Sequence, residues 1–144
     1  MQRVTDVMTR NVQVISPQES IQAAARLMGE LDVGALPVCS DRRLVGMITD
    51  RDITVKAAAS DLRPSDVKVS EVMSTDPRWC MEDQTTDEVV QQMSDVQIRR
   101  IPVLNDQQEI VGIVALKDLA LSEPSQAQDA LEDISADQKD QTTH

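Results

Sequence analysis

The sequence predicts an α+β fold made of two copies of one β-α-β-β-α unit, and three observations carry that reading. The stretch 44–53, Leu-Val-Gly-Met-Ile-Thr-Asp-Arg-Asp-Ile, returns in weaker form at 110–119 as Ile-Val-Gly-Ile-Val-Ala-Leu-Lys-Asp-Leu. Val4-Thr-Asp-Val-Met8-Thr returns as Val69-Ser-Glu-Val-Met73-Ser, and at the same offset Met28 meets Met93 and Leu36-Pro-Val38 meets Ile101-Pro-Val103. One residue inserted in the following turn then aligns Gly46 with Gly112 and Asp52 with Asp118. A single copy of about 55–60 residues is too small to support its own core, so the two copies are expected to pack as one unit.

The elements follow in order. Each copy opens on a short capped turn, with Thr5 or Ser70 as the expected capping residue, ending in Val-Met. A brief extended segment follows, 12–15 or 78–81. Helical spacing comes next: Ile21, Ala24, Ala25, Met28 and Leu31 in the first copy, Val89, Val90, Met93 and Val96 in the second. Ser20 is the expected N-cap of the first helix, and Thr85 with Glu88 forms a capping box for the second. Two apolar strands follow in each copy, 36–39 with 44–49 and 101–104 with 110–115, joined by turns rich in Asp, Arg, Asn and Gln. Closing helices are expected at 51–59 and 117–122. The organisation is thus repeat 2–59, linker 60–68 around Pro64, repeat 69–122, and an acidic tail 123–144, a short frayed helix and then disorder.

Composition excludes several functions. The net charge of −11 argues against nucleic acid as a partner. No apolar run approaches the roughly 18–20 residues a membrane span needs, and the N-terminus lacks the apolar region of a signal peptide. Cys39 and Cys80 show no metal-type spacing and read as a buried, reduced pair, which points to the cytoplasm. The only histidine is His144, so histidine acid–base chemistry and histidine zinc sites are not expected. No nucleophile–base pair stands out, and the chain reads as a non-enzyme with no metal site.

Thr49 and Asp52 stand at a strand-to-helix turn, where free N–H groups and the helix dipole favour an anion. Asp52 and Asp118 also suit plain helix capping, Thr49 suits a β-branched strand position, and Arg99 and Arg100 suit surface pairing with the surplus carboxylates.

The repeated motifs, Val-x-x-Val-Met, Ala-Leu-Pro-Val with Arg-Ile-Pro-Val, and Gly-Met-Ile-Thr-Asp-Arg-Asp with Gly-Ile-Val-Ala-Leu-Lys-Asp, resemble the CBS domain, named after cystathionine β-synthase. The tandem pair is similar to a Bateman module of the stand-alone prokaryotic type, over residues 2–122. The resemblance implies two repeats about a pseudo-twofold axis with two clefts for adenosine nucleotides, AMP first and ADP or ATP next. It implies a first cleft of Thr49, Asp52 and Arg51, with Arg78, Arg99 and Arg100 for phosphate and Met47, Ile48, Ile101 and Pro102 as apolar walls for a purine. There a carboxylate can accept ribose hydroxyls and guanidinium groups can clamp phosphate oxygens. Trp79 is expected near that cleft but on the other face of its strand. A second, weaker cleft would use Asp118, Thr9, Gln13, Gly34 and Ala35, without the phosphate-binding groups. The implied function is a regulatory, ligand-sensing module, commonly a homodimer, signalling to a protein partner or a second copy. A ligand-free dimerisation scaffold and a binder of S-adenosylmethionine are the alternatives.

Overall fold

The computed structural model describes residues 2–122, so the acidic tail expected at 123–144 lies outside the described residues. The chain is α+β, and its described residues divide into two compact units: residues 13–77, and residues 2–12 together with 78–122.

In unit 13–77, helix α1 (Ile21–Leu31) is capped by Ser20, whose hydroxyl accepts from the Ala23 N–H. Its buried stripe is Ile21, Ala24 and Met28. Ala25 and Leu31, expected on that face, are exposed, because the stripe is narrow and the chain leaves the helix at Asp32 in the left-handed conformation. Strands β1 (Ala35–Ser40) and β2 (Arg43–Thr49) form an antiparallel hairpin. Its two-residue loop, Asp41-Arg42, has positive φ at both positions, the geometry that matches strand twist. Helix α2 (Asp50–Ala59) leaves β2 directly. The segment 12–15 is not a strand; Ile15 alone makes a parallel bridge, to Val38. The segment 60–68 carries a 3-10 turn at Pro64–Asp66, and Val67 at its end is buried with its carbonyl accepting from Ile21. The core is Ile15, Ile21, Ala24, Met28, Leu36, Val38, Ile48, Ile53, Val67 and Val69.

The other unit repeats this design. Strand β3 (Cys80–Met81) pairs parallel with β4 (Arg100–Leu104), which pairs antiparallel with β5 (Ile110–Ala115). Helix α3 (Thr86–Val96) carries the expected Thr85–Glu88 capping box and buries Val89, Val90 and Met93. Helix α4 (Leu116–Ser122) follows β5. The core gathers Val4, Cys80, Val89, Val90, Met93, Ile101, Val103, Val114, Leu116 and Leu119.

The compact units do not coincide with the sequence repeats. The first repeat's opening segment packs in the unit of the second, and the second's packs in the unit of the first. Val69 donates its N–H to the Glu19 carbonyl, and Val4 donates to Gln84 at the equivalent place. Ser74 exchanges two backbone hydrogen bonds with Met47 on the free edge of β2, and Thr9 does the same with Ile113 on β5. Each contact needs a glycine. A Cβ on Gly46 would come within 2.5 Å of the Ser74 carbonyl oxygen and 2.9 Å of Met73 Sδ, and one on Gly112 would collide with the Met8 thioether. Neither glycine has positive φ, so both are required by close approach.

The opening turns are 3-10 helices, Val4–Asp6 and Val69–Glu71, and they start two residues earlier than expected. Thr5 and Ser70 lie inside them; the caps are Arg3 and Lys68, whose N–H groups donate to the Asp6 and Glu71 carboxylates at 3.0 and 2.7 Å. No helix among the described residues is long and apolar enough to cross a membrane.

Candidate functional site

The β2–α2 corner is built by the residues that stop the strand and start the helix. Thr49 is the last residue of β2 and the N-cap of α2. Its hydroxyl oxygen accepts from the Asp52 N–H at 3.1 Å, and Asp52 Oδ2 accepts from the Thr49 N–H at 3.1 Å. This reciprocal capping box satisfies two N–H groups that the helix start would leave open. Both side chains are half-buried. Among the described residues, Asp52 Oδ1 and the Thr49 hydroxyl hydrogen have no further hydrogen-bond partner. The corner therefore offers one fixed acceptor and one fixed donor beside a helix N-terminus.

The other residues of the same unit fall into place around it. Arg51, in the first turn of α2, is exposed. Met47 is half-buried, whereas Ile48, on the opposite face of β2, is completely buried in the core. Gly34 sits at the head of β1, its carbonyl accepting from the Asp50 N–H at 2.9 Å, and Ala35 pairs with Thr49. Gln13 is exposed. Ser74, absent from the sequence-based set, joins the group through its pairing with Met47, two residues before Thr49. It is the register equivalent of Thr9, and that equivalence is the signal that would have found it.

The remaining candidates belong to the other unit. Arg100 pairs with Ala115 across β4 and β5, and the Arg99 carbonyl accepts from the Leu116 N–H at 2.8 Å. Asp118, half-buried in the first turn of α4, and exposed Thr9, beside Ile113, complete that corner. Ala115 stands where the first corner has Thr49, so no side chain there can cap. Arg78 is exposed at the entry to β3; Ile101 and Pro102 are buried in β4. Trp79 is 40% exposed and its carbonyl accepts from the Gln92 side chain. The structure thus brings Thr49, Asp52, Arg51, Met47, Gly34 and Ala35 together in one unit, and Thr9, Arg99, Arg100 and Asp118 in the other.

Cys39 and Cys80 are both free and buried, as their lack of spacing suggested. Burial pushes the Cys39 thiol up to about 11 and the Cys80 thiol up to about 12, so neither is a nucleophile near neutral pH. Among the described residues, no group of three or more His, Cys, Asp or Glu side chains is placed to hold a metal ion.

Comparison with known proteins gives the pattern of the CBS domain at residues 4–58 and again at 69–123. The CBS domain-containing protein YhcV of Bacillus subtilis is 45% identical over 130 residues, spanning 87% of this chain and 88% of that protein. Hypoxic response protein 1 of Mycobacterium tuberculosis is 36% identical over 128 residues, 88% of this chain and 89% of its own. The crystal structure of Hypoxic Response Protein I, which has two coordinated zinc ions, matches with a TM-score of 0.75 at 36% identity, covering 85% of this chain and 99% of that one. CBSX2 in complex with AMP shares the fold, with a TM-score of 0.73 at 24% identity over 85% of this chain and 96% of that one. Two matches to one domain pattern, over a chain whose two halves share the same helix and hairpin order, leave one conclusion: this protein belongs to the CBS-domain family, as a tandem pair.

Proposed function

We propose that the chain is a non-catalytic regulatory module that binds an adenine nucleotide, AMP or else ADP or ATP, and transmits occupancy as a shift between packing states. Paired CBS modules are in general regulatory ligand-binding units. The observation that carries the nucleotide reading is the β2–α2 corner. There Thr49 and Asp52 hold each other rigid while keeping one hydroxyl hydrogen and one carboxylate oxygen in reserve. Asp52 would take ribose hydroxyls and Thr49 would donate to phosphate, with Arg51 adding charge. In the same unit Met47, Ile48, Gln13, Gly34 and Ala35 are proposed as further ligand-binding residues; in the other unit Arg78, Arg99 and Arg100 are proposed for phosphate, Ile101 and Pro102 as apolar surroundings, and Asp118 and Thr9 as weaker contacts. A ligand shifts such a module only by its difference in affinity for the two states.

The test is calorimetric titration of ligand-stripped protein with AMP, ADP, ATP, adenosine, S-adenosylmethionine and zinc. Asp52→Asn keeps a side-chain oxygen for the Thr49 N–H but loses the charge. It should therefore remain folded while nucleotide affinity drops by about tenfold or more, the worth of a hydrogen bond to a charged group. Asp52→Ala should lose both the affinity and the cap, and Asp118→Ala should matter much less. Equal effects at Asp52 and Asp118 would remove the asymmetry between the two sets.

One observation favours a second reading. The capping box alone gives Thr49 and Asp52 a structural role, as in a ligand-free dimerisation scaffold. Silence across the whole panel, with a stable dimer in sedimentation, would establish that reading in place of the first.

A further inference from the structure

The two corners differ in charge at matching positions. In one unit the Asp50 N–H donates to the Gly34 carbonyl; in the other the Leu116 N–H donates to the Arg99 carbonyl, at 2.9 and 2.8 Å. The same backbone contact thus joins Gly34 to Asp50 in the first case and Arg99 to Leu116 in the second. Arg99 stands where the first corner has Gly34, and Asp50 stands where the second has Leu116, so each corner carries one charge at a position that is neutral in the other. Gly34 makes this possible: Asp50 Oδ2 lies 3.2 Å from the position a Cβ on Gly34 would occupy, so the carboxylate folds back over the head of β1 into space a side chain would take. Its other oxygen accepts from the Arg51 N–H at 2.8 Å, which fixes the orientation. The side chain is exposed and stands one residue from Thr49. With Asp52 and Arg51 as the neighbouring charges, the corner keeps a net negative balance even though it opens a helix.

Resting on the nucleotide reading above, we propose that Asp50 is a specificity-determining residue that disfavours longer phosphate chains, so that the site prefers the monophosphate to the triphosphate. A fixed carboxylate beside the phosphate-contacting hydroxyl repels each added phosphate charge, while a neutral nucleoside does not feel it. The discrimination is electrostatic and weakens as salt rises.

The test is titration of wild type, Asp50→Asn and Asp50→Glu with adenosine, AMP and ATP in magnesium-free buffer at low and high salt. Asp50→Asn should raise ATP affinity relative to AMP by roughly three- to tenfold at low salt and by less at high salt. Adenosine should change by less than about twofold, and Asp50→Glu should keep the wild-type preference. An unchanged ATP-to-AMP ratio in Asp50→Asn, with nucleotide still bound, overturns the role of Asp50 alone. Absence of binding by every variant and by wild type overturns the nucleotide reading and this inference with it.

Discussion

Replacing Gly46 with alanine tests the crossed packing of the opening segments. The new Cβ would stand 2.5 Å from the Ser74 carbonyl oxygen and 2.9 Å from Met73 Sδ, closer than real Cβ contacts come. Relief requires the segment around Ser74 to lift from β2, which breaks the Ser74–Met47 pair of hydrogen bonds at 2.8 and 3.1 Å. Each such bond is worth about 1 kcal/mol net, and overpacking adds about 1–3 kcal/mol, for a total loss of about 3–5 kcal/mol. Gly29 is the internal control. It lies within α1 with nothing inside 4 Å of an added Cβ, so Gly29→Ala should stabilise by about 0.5–1 kcal/mol. Urea unfolding followed by circular dichroism reads both variants. Adding Met73→Ala to Gly46→Ala should restore only part of the loss, since the nearer obstacle is backbone. A Gly46→Ala variant as stable as wild type would refute the docking, and full rescue by Met73→Ala would refute the backbone of Ser74 as the main obstacle.

Two further outcomes follow from local chemistry. Gln97 caps α3 with φ of 55°, left-handed backbone that costs a side-chain-bearing residue about 1–2 kcal/mol; Gln97→Gly should raise stability by about 0.5–1 kcal/mol after its own chain entropy is counted, read by thermal melting. For the cysteines, burial raises both thiols from 9.0, to about 11 for Cys39 and about 12 for Cys80. The folded state therefore holds protons that the unfolded chain gives up, so the cysteine contribution to stability is intact below pH 9 and is lost as pH rises through about 11–12. A chromogenic disulfide reagent at pH 8 should label neither thiol until denaturant is added, and rapid labelling of the native protein would contradict the burial.

Much of the fold was legible because it rests on periodicity. The stripes at Ile21, Ala24 and Met28 and at Val89, Val90 and Met93, the caps at Ser20 and Thr85, and the β4–β5 hairpin all express local rules that act within a few residues. The exchange of opening segments was not legible, since Val4-to-Met8 and Val69-to-Met73 carry the same pattern and either would satisfy either core. What distinguishes the partners is three-dimensional: Gly46 faces Met73 and Ser74, and Gly112 faces Met8 and Thr9. A glycine in mid-strand announces that some backbone comes close, not which one.

The site was legible in residue type and spacing, and ambiguous for a physical reason. A hydroxyl followed three residues later by a carboxylate at a strand-to-helix turn is both a ligand-binding pair and a capping box, because both uses need short polar side chains beside open N–H groups. Capping commits one oxygen of each residue to the other's backbone and leaves Asp52 Oδ1 and the Thr49 hydroxyl hydrogen for the proposed second use. Capping thus fixes the two side chains before any ligand arrives, so less rotamer entropy remains to be lost on binding. Asp50 escaped notice because its role depends on what is missing at Gly34, sixteen residues earlier, and a side chain's absence leaves no pattern to read. The charge of such a corner follows from which residues the strand head and the helix start bring together, and only the hydrogen bond between Asp50 and Gly34 reveals that pairing.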